Sequence, residues 1–208
     1  MGRPFLALAA LLLWAPAAQA APRAARPLTE AESEAKARKY FTDTVLLTQQ
    51  GKKVRFYSDV LKDRVVVVSF MFSQCTDACP LLTQKLRRVK DGLGDLFGKP
   101  VRFVTISVDP VNDTPEAWRK YAERNQAVHP EWLFLTGKKA QVEAVIRKLG
   151  ELGPSVEAHS TTFLAGNTMT RHWTKIRPDA PAEAVVEHVR RLAGEGLGGA
   201  PAEARANR

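Results

Sequence analysis

Cysteine is nearly absent from this 208-residue chain, which has only Cys75 and Cys79. With one pair four residues apart, a structural disulfide is the lesser reading, because a bridge closing so short a loop constrains the unfolded chain little. Histidine is scarce too: His129, His159, His172 and His188 are the full set. There is no acidic surplus, since 31 Lys and Arg face 22 Asp and Glu. The basic residues are scattered in pairs and lack the interleaved aromatics on which bases stack, so nucleic acid is not an expected partner. No internal repeat is present.

The longest apolar run lies at the N-terminus. Arg3, the segment Phe5 to Trp14 and the small-residue site Ala18-Gln19-Ala20 read as a secretory signal over residues 1–20. The run is short for a span of about 20 residues. Cleavage and a periplasmic location are therefore expected, with an uncleaved inner-membrane anchor as the alternative. Without Arg3 the exported portion keeps 30 basic residues against 22 acidic ones, a net +8. This charge is expected on solvated helix faces; peripheral contact with anionic headgroups is the sharper alternative. A monomer is expected.

Residues 21–42 read as an Ala/Pro/Arg-rich lead-in and a short helix, opened by a capping box of Thr29 and Glu32. The pattern over 43–193 predicts one α/β domain. It comprises a hairpin (44–48 and 54–57), a connector (58–63), a buried strand (65–72) and a helix (80–96). A second buried strand (101–108) precedes a helix capped by Asp113 or Thr114 and running to about Asn125. A short strand (132–135), a helix (138–149), a hairpin turning at Gly166-Asn167 and a helix (181–193) follow. Residues 194–208 read as a disordered tail. A βαβ core followed by an antiparallel hairpin and a terminal helix is a thioredoxin-like fold, here with an added N-terminal β-hairpin.

Cys75 and Cys79 lie between the strand ending at Phe72 and the helix opened by Pro80. Unpaired N–H groups at a helix start favour thiolate, the form that attacks disulfides and binds soft metals. The spacing is one residue longer than that of a dithiol oxidoreductase. Among the histidines, His188 reads as helical surface, His129 as a surface turn, and His172 as either surface or site. His159 enters the strand expected beside the cysteine loop. Two sulfurs and an imidazole suit copper, as Cu(I) or Cu(II), better than zinc, which usually takes a fourth protein ligand. A metal-free thiol–disulfide oxidoreductase using Cys75 and Cys79 remains open. Asp109 reads equally as turn punctuation and as a residue near the site, behind the ligands.

These motifs together resemble the Sco/SenC family of exported copper proteins. Cys75 to Pro80 is similar to its C-x-x-x-C-P element. Ser107-Val108-Asp109-Pro110, Asp113-Thr114-Pro115-Glu116, Trp132 to Gly137 and His159-Ser160 follow in the family's order. Ala158 departs from the Asp usual before the histidine, and the segment leading to His159 is shorter than usual. The resemblance implies copper held by Cys75, Cys79 and His159, and delivery to a copper-receiving subunit of cytochrome c oxidase.

Overall fold

The computed structural model describes residue 26 and residues 28–197, so the expected signal and the last eleven positions lie outside the described residues. Helix α1 (Glu30–Phe41) opens with the capping box: Thr29 accepts the Glu32 N–H, and Glu32 accepts that of Thr29. Strands β1 (Val45–Thr48) and β2 (Lys53–Arg55) form the first hairpin. The chain then alternates through β3 (Val65–Met71), α2 (Ala78–Leu93), β4 (Val101–Ser107), α3 (Pro115–Arg124), β5 (Trp132–Thr136) and α4 (Lys139–Lys148). It closes with β6 (Phe163–Asn167), β7 (His172–Ile176) and α5 (Ala182–Leu197).

All seven strands form one sheet in the order β2-β1-β5-β4-β3-β6-β7. Strands β3, β4 and β5 are parallel, whereas β6 and β7 run antiparallel. This is the thioredoxin-like arrangement, with the β1–β2 hairpin added along β5. Strands β3 and β4 are buried along their whole length because helices cover both faces of the sheet. Val65, Val67 and Met71 pack toward α2, α3 and α5. Val66, Val68 and Phe70 pack toward α4 and the segment after β2. No helix among the described residues is long and apolar enough to cross a membrane.

Four local features differ from the sequence pattern. The connector coils into a π-helical turn, Phe56–Leu61, which carries Phe56, Val60 and Leu61 into the core. Helix α2 starts at Ala78, stops at Leu93 and is followed by a 3₁₀ turn, with Gly94 at φ 56°. The second hairpin turns after Asn167, not at Gly166-Asn167. Asn167 stays in β6 and accepts the N–H groups of Met169 and Thr170 at 2.9 and 3.2 Å, an Asx-type turn. Gly166 is needed for close approach, since a Cβ there would lie 2.3 Å from the Trp173 indole. Helix α5 runs to Leu197, four residues into the expected tail, and Glu195 near its end pairs with His172 at 3.0 Å.

Candidate metal centre

Strand β3 delivers the chain to a tight loop in which the Cys75 N–H donates to the Phe72 carbonyl at 3.3 Å. Helix α2 begins three residues later without a side-chain oxygen cap, because Asp77 makes no capping bond. The Cys75 sulfur takes that place, accepting the Cys79 N–H at 3.4 Å. Burial pushes the Cys75 thiol up, but the N–H groups of Cys79, Asp77 and Ala78 and the Cys79 thiol outweigh it and lower its pKa. Cys79 differs: it is fully buried, and burial, reinforced by Cys75 and Asp113, pushes its thiol up to about 12. Both thiols are free. The pair is therefore an accessible, acidic sulfur in front of a buried, protonated one.

Buried polar groups fix this loop. The Ser73 N–H donates to Asp113 Oδ1 at 2.8 Å, and the Ser107 hydroxyl donates to Oδ2 at 2.5 Å. Burial raises the Asp113 pKa, against the opposing pull of those two serines. Asp109 has the turn role: its carbonyl accepts from Asn112 and Asp113, and its carboxylate accepts from the Asn112 side chain at 2.7 Å. Asp113 is thus the carboxylate that reaches the cysteine loop. Its position inside the Asp-Thr-Pro-Glu match was the available signal, but Thr114 is the helix cap, bonded to the Ala117 N–H at 3.1 Å. Below Cys79, Thr83 bonds the Cys79 carbonyl at 2.9 Å and the Tyr121 hydroxyl at 2.8 Å.

His159 is half-buried, with its ring edge-on to Phe72 at 5.6 Å between centroids. Its Nδ1 lies 2.6 Å from the Val156 carbonyl. A carbonyl only accepts, so Nδ1 carries the proton and Nε2 presents its lone pair. That Nε2 is buried and has no hydrogen-bond partner among the described residues. Val156 thereby orients the imidazole. Gly153 permits the approach of this loop, since a Cβ there would lie 2.7 Å from the Ala158 carbonyl oxygen.

The structure therefore brings Cys75 and Cys79 together, and it sets the His159 ring against Phe72, the residue that leads into the cysteine loop. No three His, Cys, Asp or Glu side chains among the described residues converge closely enough to hold a metal. The donors present suit a soft ion: a half-buried sulfur whose pKa is lowered, a second sulfur beneath it, and an imidazole nitrogen without a partner among the described residues. The other histidines are engaged elsewhere. His129 is tilted against Phe97, His172 pairs with Glu195, and His188 Nδ1 lies 3.3 Å from Arg191, while His188 Nε2 is buried without a partner among the described residues. A groove of about 700 Å³ leads to Cys75 between its loop and α3, where Lys120, Tyr121 and Arg124 form the opposite wall.

The sequence pattern of the SCO1/SenC family matches residues 32–194, most of the chain. The chain belongs to the SCO1/SenC family. A SCO2-like protein of Rickettsia conorii is 32% identical over 106 residues, covering 51% of this chain and 49% of that protein. The chain thus matches about half the length of such curated relatives. Among solved structures, Bradyrhizobium japonicum ScoI with copper bound superposes with a TM-score of 0.60 at 23% identity, over 72% of this chain and 96% of that one. BsSco, described through its disulfide switch as a member of the Sco family of cytochrome c oxidase assembly proteins, gives 0.61 at 23% identity, over 72% and 91%. At such identities the two structures establish the shared SCO1/SenC fold alone.

Proposed function

We propose that this chain is an exported copper metallochaperone that serves assembly of a copper centre in cytochrome c oxidase. In this reading Cys75 and Cys79 bind copper as thiolates and His159 completes the site through Nε2. The observation that carries it is the orphaned, buried Nε2 of His159, held toward metal-ligand chemistry by the Val156 carbonyl. His188 Nε2 is also buried without a partner among the described residues, but of the two only His159 packs on Phe72 at the entry to the cysteine loop. Membership of a family with copper-bound and oxidase-assembly members supports the same reading. Asp113 contributes by holding the loop, and copper itself is cargo. A periplasmic location accompanies this proposal, with anchoring to the inner membrane as the alternative.

The test is competition for Cu(I) and Cu(II) against calibrated chelators, using the reduced protein and its Cys75→Ser, Cys79→Ser and His159→Ala variants. One copper per chain is expected, with tight binding lost in each cysteine variant. Wild-type affinity in any of the three sinks the site.

A second reading has its own observation. The acidic, accessible Cys75 in front of the buried Cys79 is the asymmetry of an attacking and a resolving thiol. Thiol–disulfide exchange that survives His159→Ala while copper binding falls would show both activities on one dithiol.

A further inference from the structure

On the far side of the sheet from the cysteines, α1 stands away from β6 and β7 and leaves a groove of about 530 Å³. Phe41 forms its floor, stacked on Tyr57 at 6.4 Å and tilted against Trp173 at 4.9 Å between ring centroids. Tyr40, Leu149 and Leu164 form its walls. Trp173 cannot drop out of the way, because it already rests on Gly166, which has no side chain to displace. The groove is thus a preformed aromatic trough, inside the roughly 300–1,000 Å³ range of small-molecule sites.

Its charge is one-sided. Lys36, Lys148, Arg171 and Lys175 line it, and no acidic residue does. Lys175 is neutralised by Glu151 at 2.6 Å, and Arg171 donates to Ser33 at 2.7 Å. Lys36 and Lys148 form no ion pair among the described residues. Three cations that form no ion pair among the described residues therefore flank an apolar floor, Lys36 being within electrostatic reach of Glu32. A neutral apolar ligand would leave them unused, and an inorganic anion would leave the aromatic floor wet.

We propose that this groove binds a free long-chain carboxylate, with the alkyl chain along Phe41, Tyr57 and Trp173 and the headgroup among Lys36, Lys148 and Arg171. At roughly 30 Å³ per water-sized group, the space holds on the order of fifteen to twenty non-hydrogen atoms. That fits one alkyl chain with a carboxylate and is too small for a two-chain phospholipid. The site shares no residue with the cysteine loop.

The probe is dodecanoate below its micelle concentration, titrated into the purified protein by calorimetry. With Trp14 replaced by Phe, Trp173 supplies a second readout, since Trp118 and Trp132 are fully buried. One dodecanoate per chain is expected, with a shift in tryptophan emission. Decanoate should bind roughly tenfold more weakly, as loss of two buried methylenes implies. Dodecanol should also bind more weakly. Lys148→Glu and Tyr40→Glu, both at exposed positions, should each weaken binding tenfold or more without changing the circular dichroism. Alkylation of Cys75 should leave binding unchanged. Several ligands per chain, no saturation, or affinity indifferent to Lys148→Glu would overturn the proposal. So would a dimer in light scattering that dissociates on ligand addition, which assigns the groove to a second copy. Binding that appears only after removal of residues 1–20 assigns it to the chain's own leader and overturns the proposal likewise.

Discussion

The backbone N–H of Cys79 points at the sulfur of Cys75 across 3.4 Å, so one cysteine caps the helix turn that carries the other. Through this contact the two thiols acquire opposite chemistry, since the same turn that exposes Cys75 to helix N–H groups buries Cys79 under Thr83 and Tyr121. Limited alkylation at neutral pH should therefore label Cys75 first. One pKa unit is roughly a factor of ten in thiolate fraction, so Cys79 should react more than roughly tenfold slower. Peptide mass spectrometry after short exposure to iodoacetamide checks this, and equal labelling would contradict the geometry.

The buried thiol also predicts an alkaline weakness. Below pH 9 Cys79 is protonated in both folded and unfolded chains and costs nothing. Above that the unfolded thiol ionises while the folded one, at about 12, does not, so stability should fall as pH rises from 9 toward 12. Burial raises Tyr121 in the same direction and adds to the slope. Cys75 acts oppositely: its lowered pKa adds stability at and above the ordinary thiol range, and this is lost as pH falls through the folded value. Urea unfolding at pH 8 and pH 10.5 should show a smaller loss in Cys79→Ala and Tyr121→Phe than in the parent protein.

Asp113 should matter more than Asp109. Asp113→Ala leaves the Ser73 N–H and the Ser107 hydroxyl without their acceptor, at a cost of about 1–3 kcal/mol. Asp109→Ala removes an exposed bond to Asn112 and should cost less than about 1 kcal/mol. Denaturant midpoints of the two variants decide between them.

His159→Ala should weaken copper binding by about one to two orders of magnitude, the effect typical of disturbing metal-site partners. Ala158→Asp should change it little, because the Val156 carbonyl already holds Nδ1. Chelator competition measures both. A large gain from the new carboxylate would mean that Val156 does not orient the ring.

Gly166→Ala would drive a methyl group into Trp173 and should destabilise the domain by about 1–3 kcal/mol. Altered tryptophan emission with a lowered thermal midpoint is the expected result.

What was legible in the sequence was what neighbouring residues decide. The i, i+4 thiols, the apolar runs of β3 and β4, and the Thr29–Glu32 capping box are short-range facts, and the structure has each of them. Where local patterns competed, tertiary contacts chose. Gly166-Asn167 carries a strong turn signal, yet Trp173 needs Gly166 inside the strand and the Asn167 amide reaches the Leu192 carbonyl at 2.7 Å. The choice between Asp109 and Asp113 was likewise invisible, because it depends on which carboxylate the βαβ crossover sets under Ser73, forty residues away. The tautomer of His159 rests on a backbone carbonyl, and every residue type supplies one. Residue types by themselves therefore named the thiols and the imidazole, whereas burial and long-range hydrogen bonds decided which thiol is acidic, which carboxylate holds the loop and which imidazole nitrogen is left free.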